Sequence, residues 1–251
     1  PLIKSDRTNA KHIWRNEALE FRSLFALNHQ LNAYVSFSKT FRNPNVDELV
    51  LSAPDLSPQT ADRYETGVKF HGERLNIDIG YFDFKTHREI LFRSGVEHGV
   101  NFNAMGLIER TGAELQGRIF IDNSIDVTVD LGYTDVVTED DKRMPLVPFW
   151  TGSIGANWQI KPSTHLTINA NYTGQRFDGN DFTNDRFPVI SSHTTLNTTL
   201  HIQQKRSSTK KIDWHISINN LFNADYYDIA YSNTVYPAPL RTIMGGLTIE
   251  L

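Results

Sequence analysis

Apolar and polar residues alternate with a period of two along most of the chain. Leu31, Ala33, Val35, Phe37 and Phe41 fall on one face, and Asn32, Tyr34, Ser36, Ser38 and Thr40 on the other. A strand sorts residues in this way because successive side chains point to opposite faces, whereas a helix would scatter them around its axis. The same alternation recurs over residues 19–27, 63–70, 75–81, 113–119, 125–133, 150–159, 166–172, 196–203, 212–219 and 242–251. This predicts about eleven strands of roughly 9–12 residues, the length that a strand tilted by about 45° needs to cross a bilayer. Soluble strands are commonly shorter, at about 5–6 residues. No helical pattern of useful length appears.

The connections carry an independent signal. Short ones at 28–30, 71–74, 122–124, 161–163 and 205–211 alternate with long ones at 42–57, 87–101, 138–147, 178–190 and 223–239. Short periplasmic turns and longer extracellular loops are the habit of outer-membrane barrels. On that reading the first strand runs towards the periplasm and the last ends there. Trp14, Phe41, Tyr81, Phe149, Trp150, Trp158, Tyr172, Phe177, Trp214 and Tyr236 lie near strand ends, where aromatic rings meet lipid headgroups.

Composition alone points elsewhere. The chain is 39% hydrophobic and 22% charged, with mean hydropathy −0.40, values of an ordinary water-soluble protein. A membrane barrel gives the same values, because lipid-facing residues alternate with polar residues facing the lumen. No apolar run is long enough for a transmembrane helix. The net charge of −4 argues against a nucleic-acid partner. With no cysteine, thiolate metal sites, disulfides and thiol nucleophiles are excluded. The sequence opens Pro1-Leu2-Ile3-Lys4, without Met or a leader, and is read as a fragment. A soluble all-β sandwich or barrel also predicts the alternation; strand length and loop alternation favour the membrane.

Several segments carry a family resemblance. Phe41-Arg42-Asn43-Pro44 is followed by Glu48-Leu49, and Leu56-Ser57-Pro58-Gln59 by Tyr64-Glu65-Thr66-Gly67. Asn101 precedes Gly112-Ala113-Glu114-Leu115, then come Asn220-Leu221-Phe222-Asn223-Ala224-Asp225-Tyr226-Tyr227 and Tyr236-Pro237-Ala238-Pro239-Leu240-Arg241. In this order, they resemble the C-terminal barrel of TonB-dependent outer-membrane receptors over nearly the whole chain. Gln59 stands where the family favours Glu, Ala53 where it favours Asn, and Leu251 where it favours a terminal Phe. Pro44, Pro58, Pro237 and Pro239, which lack a donor, belong at loop–strand junctions. Gly67 and Gly112 are expected to face inward and leave room against the wall.

The resemblance implies an all-β fold: a transmembrane antiparallel up-and-down barrel, with this chain giving about 11 of about 22 strands. The plug domain and TonB box would lie outside this sequence. The implied partners are outer-membrane lipid, the remainder of the barrel with its plug, the TonB complex acting through that plug, and a small-molecule ligand such as a metal chelate. The implied activity is TonB-coupled uptake of a scarce nutrient, above all a ferric siderophore. A passive porin-like channel and a soluble binding or adhesive β-protein are the alternatives.

No catalytic constellation is present: there is no Gly-x-Ser-x-Gly, P-loop, His-x-x-x-His or calcium loop. The chain is therefore read as a non-enzyme, without a resident cofactor or metal. Candidate ligand contacts lie in the extracellular loops: Arg42, His87, Arg88, Arg93, His98, Arg176, Asp181 and Arg186. Arginines there suit an anionic chelate through charge-assisted hydrogen bonds, and His87 and His98 suit haem or zinc. Each is also what a solvated, variable loop carries. Glu65, Lys69, Glu114, Arg118, Asp126 and Asp130 are expected on the lumen face, pairing with one another or with a plug.

Overall fold

The computed structural model describes residues 13–93, 99–205, 211–232 and 234–250. In chain order the strands are β1 (Leu19–Ala26), β2 (Leu31–Arg42), β3 (Gln59–His71), β4 (Leu75–His87), β5 (Ile90–Arg93), β6 (Val100–Asn103), β7 (Leu107–Phe120) and β8 (Ile125–Thr138). They continue with β9 (Trp150–Lys161), β10 (Thr164–Thr173), β11 (His193–Lys205), β12 (Lys211–Asn219), β13 (Tyr227–Tyr231), β14 (Thr234–Pro237) and β15 (Thr242–Glu250). Eleven form one sheet in the order β1-β2-β3-β4-β7-β8-β9-β10-β11-β12-β15. Every neighbour pair in it is antiparallel. β5–β6 and β13–β14 are separate two-stranded hairpins inside long loops. All eleven expected strands are present, and the sheet is open.

The register sorts the faces as the alternation requires. Tyr133, Leu131, Val129, Val127 and Ile125 of β8 stand opposite Trp150, Gly152, Ile154, Ala156 and Trp158 of β9 on the same face. Among the described residues nothing covers this face: Ile154 is 53% exposed and Ile216 52%. A belt of bare aliphatic side chains, rimmed by Tyr64, Tyr81, Trp150 and Tyr172 above and Trp158 and Trp214 below, is a surface for hydrocarbon.

The other face is polar and lines the lumen. Lys69 pairs with Asp78 at 3.1 Å, and Arg118 holds Asp126 through Nε and Nη2 at 3.2 and 3.1 Å. Arg63 pairs with Glu65, and Ser153 donates to Asp130 at 2.9 Å. Gly67 and Gly112 face inward as expected, and the space they leave is filled by this chain's own rings. Tyr34 lies over Gly67, where a Cβ would come within 2.6 Å of its Cε1, and Phe82 lies over Gly112. Such cross-strand aromatic–glycine pairs cover backbone that lacks a side chain.

Several strands run further than the hydropathy pattern predicted. β3 starts at Gln59 rather than 63, β4 continues to His87 rather than 81, and β7 starts at Leu107 rather than 113. The reason is on the outer face. Above the aromatic rim the outward positions become Asp62, Lys85, His87 and Glu109, so the apolar alternation disappears while the ladder continues. Lys85 bonds Glu109 at 2.9 Å, and His87 lies 4.0 Å from Asp62. These strand ends stand above the hydrocarbon, where charge stays hydrated.

Leu131→Lys, in the middle of the apolar belt, is expected to destabilise the folded protein by about 2–4 kcal/mol, whereas Ser153→Lys on the lumen face leaves it nearly unchanged. Urea unfolding in lipid vesicles, followed by tryptophan fluorescence, measures both.

Candidate functional site: the loop layer over the lumen

The five long connections, residues 43–58, 88–106, 139–149, 174–192 and 220–241, all leave the same end of the sheet. They are stitched to one another rather than solvated separately. A loop carries backbone donors and acceptors that no ladder satisfies, and here side-chain amides and carboxylates meet them.

The first loop opens with one helical turn, α1 (Val46–Val50), absent from the sequence expectations. Asn45 caps it, and Glu48 completes a capping box by accepting from the Asn45 N–H at 2.8 Å. Arg42 donates to both Glu48 oxygens at 2.9 Å, and weakly to Gln59. Gln59, the departure from the family's Glu, accepts from the Ile90 N–H at 3.1 Å. The second loop binds the first through Asn101 and Asn103. Asn101 exchanges backbone hydrogen bonds with Leu51 and Ala53, and Asn103 clamps Ser57 while donating to the Arg88 carbonyl. Arg110, near the top of β7, grips Glu89 of the second loop through both nitrogens at 2.5–2.7 Å.

The fourth loop is the hub. Asn184, in the left-handed region at φ 65°, accepts from the Arg143 N–H and donates to the Arg143 carbonyl, which ties in the third loop. Phe182 meets the Arg93 guanidinium of the second loop at 5.9 Å, while Phe102 stacks on it at 4.9 Å. Phe182 also packs on a small apolar core of Ile108, Val136 and Met144. Asp178 accepts from the Ser232 N–H at 2.8 Å, and Arg176 donates to the carbonyls of Tyr227 and Asp228 at 3.0 and 2.5 Å. These bonds tie in the fifth loop. There Asn220 closes a turn by bonding both the N–H and the carbonyl of Ala224 at 2.8 Å. Tyr226 stacks on His193 with ring centroids 3.9 Å apart. The Asn-Leu-Phe-Asn segment is therefore a turn staple.

The eight sequence candidates separate into groups. Arg42, Arg176 and Asp181 are engaged by their own surroundings. Asp181 is fully buried and accepts from the N–H groups of Asp185, Arg186 and Phe187 and from the Thr183 hydroxyl. Burial alone would raise its carboxyl, but those donors together outweigh burial and hold it below the usual carboxylate range. Burial pulls the Arg176 guanidinium down from its ordinary value, and the neighbouring charge of Asp228 partly restores it. Arg88, Arg93 and Arg186 are exposed, the last two lying over Phe102 and Phe187. His87 stands at the top of β4 on the outer face, and His98 lies outside the described residues. Arg110, Glu89, Asn103 and Arg143 escaped sequence reasoning. Their one signal is the density of Asn and Arg in otherwise unpatterned loops.

An open antiparallel wall, apolar outside and polar within, under a knitted loop layer, is the geometry of an outer-membrane receptor barrel. The model of the TonB dependent receptor-like beta-barrel matches residues 18–221. The chain belongs to that family, and its place is the outer membrane. Compared by sequence with curated proteins, it matches none. Among solved structures it is similar to the ferric-catecholate import receptor Fiu of E. coli K12, with TM-score 0.71, 17% identity, and 92% of this chain and 34% of that one covered. It is also similar to the copper transporter OprC, with TM-score 0.77, 15% identity, and coverage of 91% and 37%. For the siderophore receptor PiuA of Acinetobacter baumannii the values are 0.71, 15%, 92% and 35%. At these identities the likeness is one of fold, and the chain spans about a third of each neighbour's length.

Asp181→Ala removes the shared acceptor of the N–H groups of residues 185–187, at a cost of about 1–3 kcal/mol in total. Hydrogen exchange at those amides should accelerate at least tenfold. Because the folded carboxyl is held low, its contribution is fully present above the ordinary carboxylate pKa of about 4 and is lost as pH falls below it. In the unaltered protein, protection of residues 185–187 should therefore persist from neutral pH down to about 4 and decline below.

Proposed function

We propose that this chain forms half of the wall, and much of the outer loop layer, of a receptor that captures a scarce nutrient and imports it with energy delivered through TonB. The observation that carries this reading is the cross-linked loop layer over a polar lumen. Loops that only shield a pore have no need of reciprocal amide clamps and buried carboxylate staples. A surface that must recognise one ligand does, because preorganisation lowers the cost of ordering on binding. The ligand class we favour is an anionic ferric siderophore. Arg88, Arg93 and Arg186 are the exposed guanidinium groups among the candidates, and Arg93 is held by ring stacking, ready for charge-assisted hydrogen bonds. The structural neighbours, an import receptor for ferric catecholates and a siderophore receptor among them, support this choice. Binding and transport, with no catalytic step, are the role proposed.

The test is uptake of radiolabelled iron, presented as a panel of siderophores alongside haem, cobalamin and zinc, in cells that depend on the intact receptor. At least one ferric siderophore should be imported only when TonB is present. Arg93→Ala and Arg186→Ala should each weaken its binding about ten-fold or more, the loss expected from a hydrogen bond to a charged group. TonB-independent uptake with steady single-channel conductance would show a passive channel instead.

A further inference from the structure

His193, the first residue of β11, stands on the lumen face just above the aromatic rim, opposite Thr173 of β10. The ring of Tyr226 in the fifth loop lies flat against it, with centroids 3.9 Å and planes 19° apart. This stack joins the fifth loop to the wall. The Nδ1 atom of His193 is buried and, among the described residues, meets no hydrogen-bond partner. A neutral imidazole carries one N–H, whereas an imidazolium carries a donor on both nitrogens. A buried donor that bears charge and finds no acceptor costs far more than a bare neutral nitrogen.

Two charges act on this ring, Arg176 of the fourth loop and Asp228 of the fifth, and they differ in burial. Arg176 is only 6% exposed, and its guanidinium is met by the carbonyls of Gly174, Tyr227 and Asp228. Asp228 is exposed. Water screens an exposed charge much more than a buried one, so repulsion from Arg176 outweighs attraction to Asp228. Thr173 brings no charge, and Tyr226 brings a ring but no acceptor for Nδ1.

A proton on His193 therefore sets a second cation beside Arg176, with an N–H unanswered. Lifting the segment around Tyr226 relieves both costs, because Arg176 bonds that same segment through Tyr227 and Asp228, and water then reaches both cations. The hairpin beyond stays tied to the fourth loop. Asp178 accepts from the Ser232 N–H, and the Gly179 N–H donates to the Ala230 carbonyl, each at 2.8 Å.

We propose that His193 is an acid-sensitive latch on the loop layer: unprotonated, it holds the Tyr226 segment of the fifth loop down on the wall, and protonated, it releases that segment and loosens the cover on this side of the lumen. A histidine at a two-state contact is suited to such switching at mildly acidic pH. The lifted state, where the ring is hydrated, binds the proton more tightly than the closed state. Closure is thus fully favoured above the ordinary histidine pKa of about 6.5 and weakens as pH falls below it. The latch does not depend on the siderophore reading, since it concerns the cover and not the ligand.

The test places nitroxides at Lys142→Cys in the third loop and at Asp225→Cys beside Tyr226, both exposed positions, in the intact receptor. Double electron–electron resonance reads their separation from about pH 7.5 down to about pH 5, a range that spans the histidine titration. One distance should dominate at neutral pH. A second should grow below about pH 6.5, its ratio to the first rising by up to about ten-fold per pH unit, the slope of a single proton. His193→Phe keeps a ring for Tyr226 but cannot be charged, and should show one distance at every pH. Heat-modifiable gel mobility reports whether each variant is folded, and His193→Gln takes the place of His193→Phe if the latter is not. No second distance at low pH with His193 in place, or the same pH-dependent second distance in a folded His193 variant, would overturn the proposal.

Discussion

The structure depends on one constraint: inside a bilayer, no water is present to satisfy a backbone N–H or C=O. Each unsatisfied group costs several kcal/mol, so a spanning sheet must pair every strand on both sides. That requirement accounts for the uninterrupted ladder from β1 to β15 and for the absence of proline from its interior. It also explains why the faces can differ so completely. Once the backbone is satisfied within the sheet, side chains alone decide what each face meets. Leu131 and Ile154 are left bare for lipid, while Lys69–Asp78 and Arg118–Asp126 settle their charges against each other within the lumen. Among the described residues the outer edges of β1 and β15 have no partner strand, and the same constraint requires that both edges be paired before the wall is stable in hydrocarbon.

Above the membrane the constraint is unchanged but the solution differs. Long loops cannot ladder throughout, so their backbone is satisfied by short hairpins and by side chains with two-sided hydrogen-bonding capacity. Asn103, Asn184 and Asn220 each accept from a backbone N–H and donate to carbonyls. Buried Asp178 and Asp181 collect N–H groups in the same way. Charge in this layer therefore has two uses. Arg42, Arg110 and Arg176 hold the layer together, and Arg88, Arg93 and Arg186 remain at its surface.

What could be read from the sequence follows from these two regimes. Within the hydrocarbon, period-two alternation is imposed on every strand, so all eleven strands and the direction of the loops were legible. Gly67 and Gly112 were correctly turned inward, although only the structure shows Tyr34 and Phe82 filling the space. Strand ends were cut short at 63, 81 and 113, because alternation tracks lipid rather than backbone pairing, and Asp62, Lys85 and Glu109 lie beyond the lipid. The loops follow no period, and so the division of their arginines between staples and exposed groups was not legible.

The central claim is that this wall stands in a membrane with one face in lipid and the other in a polar lumen. A nitroxide scan along β8, one cysteine at a time from residue 125 to 138, in the intact receptor reconstituted in vesicles, addresses it directly. The absence of native cysteine from this chain suits such labelling. Accessibility to molecular oxygen should peak at residues 125, 127, 129, 131 and 133 and fall at the residues between them, with the alternation giving way to aqueous relaxation agents from Asp135 upward. Uniform accessibility to the aqueous agent on both faces would contradict the account.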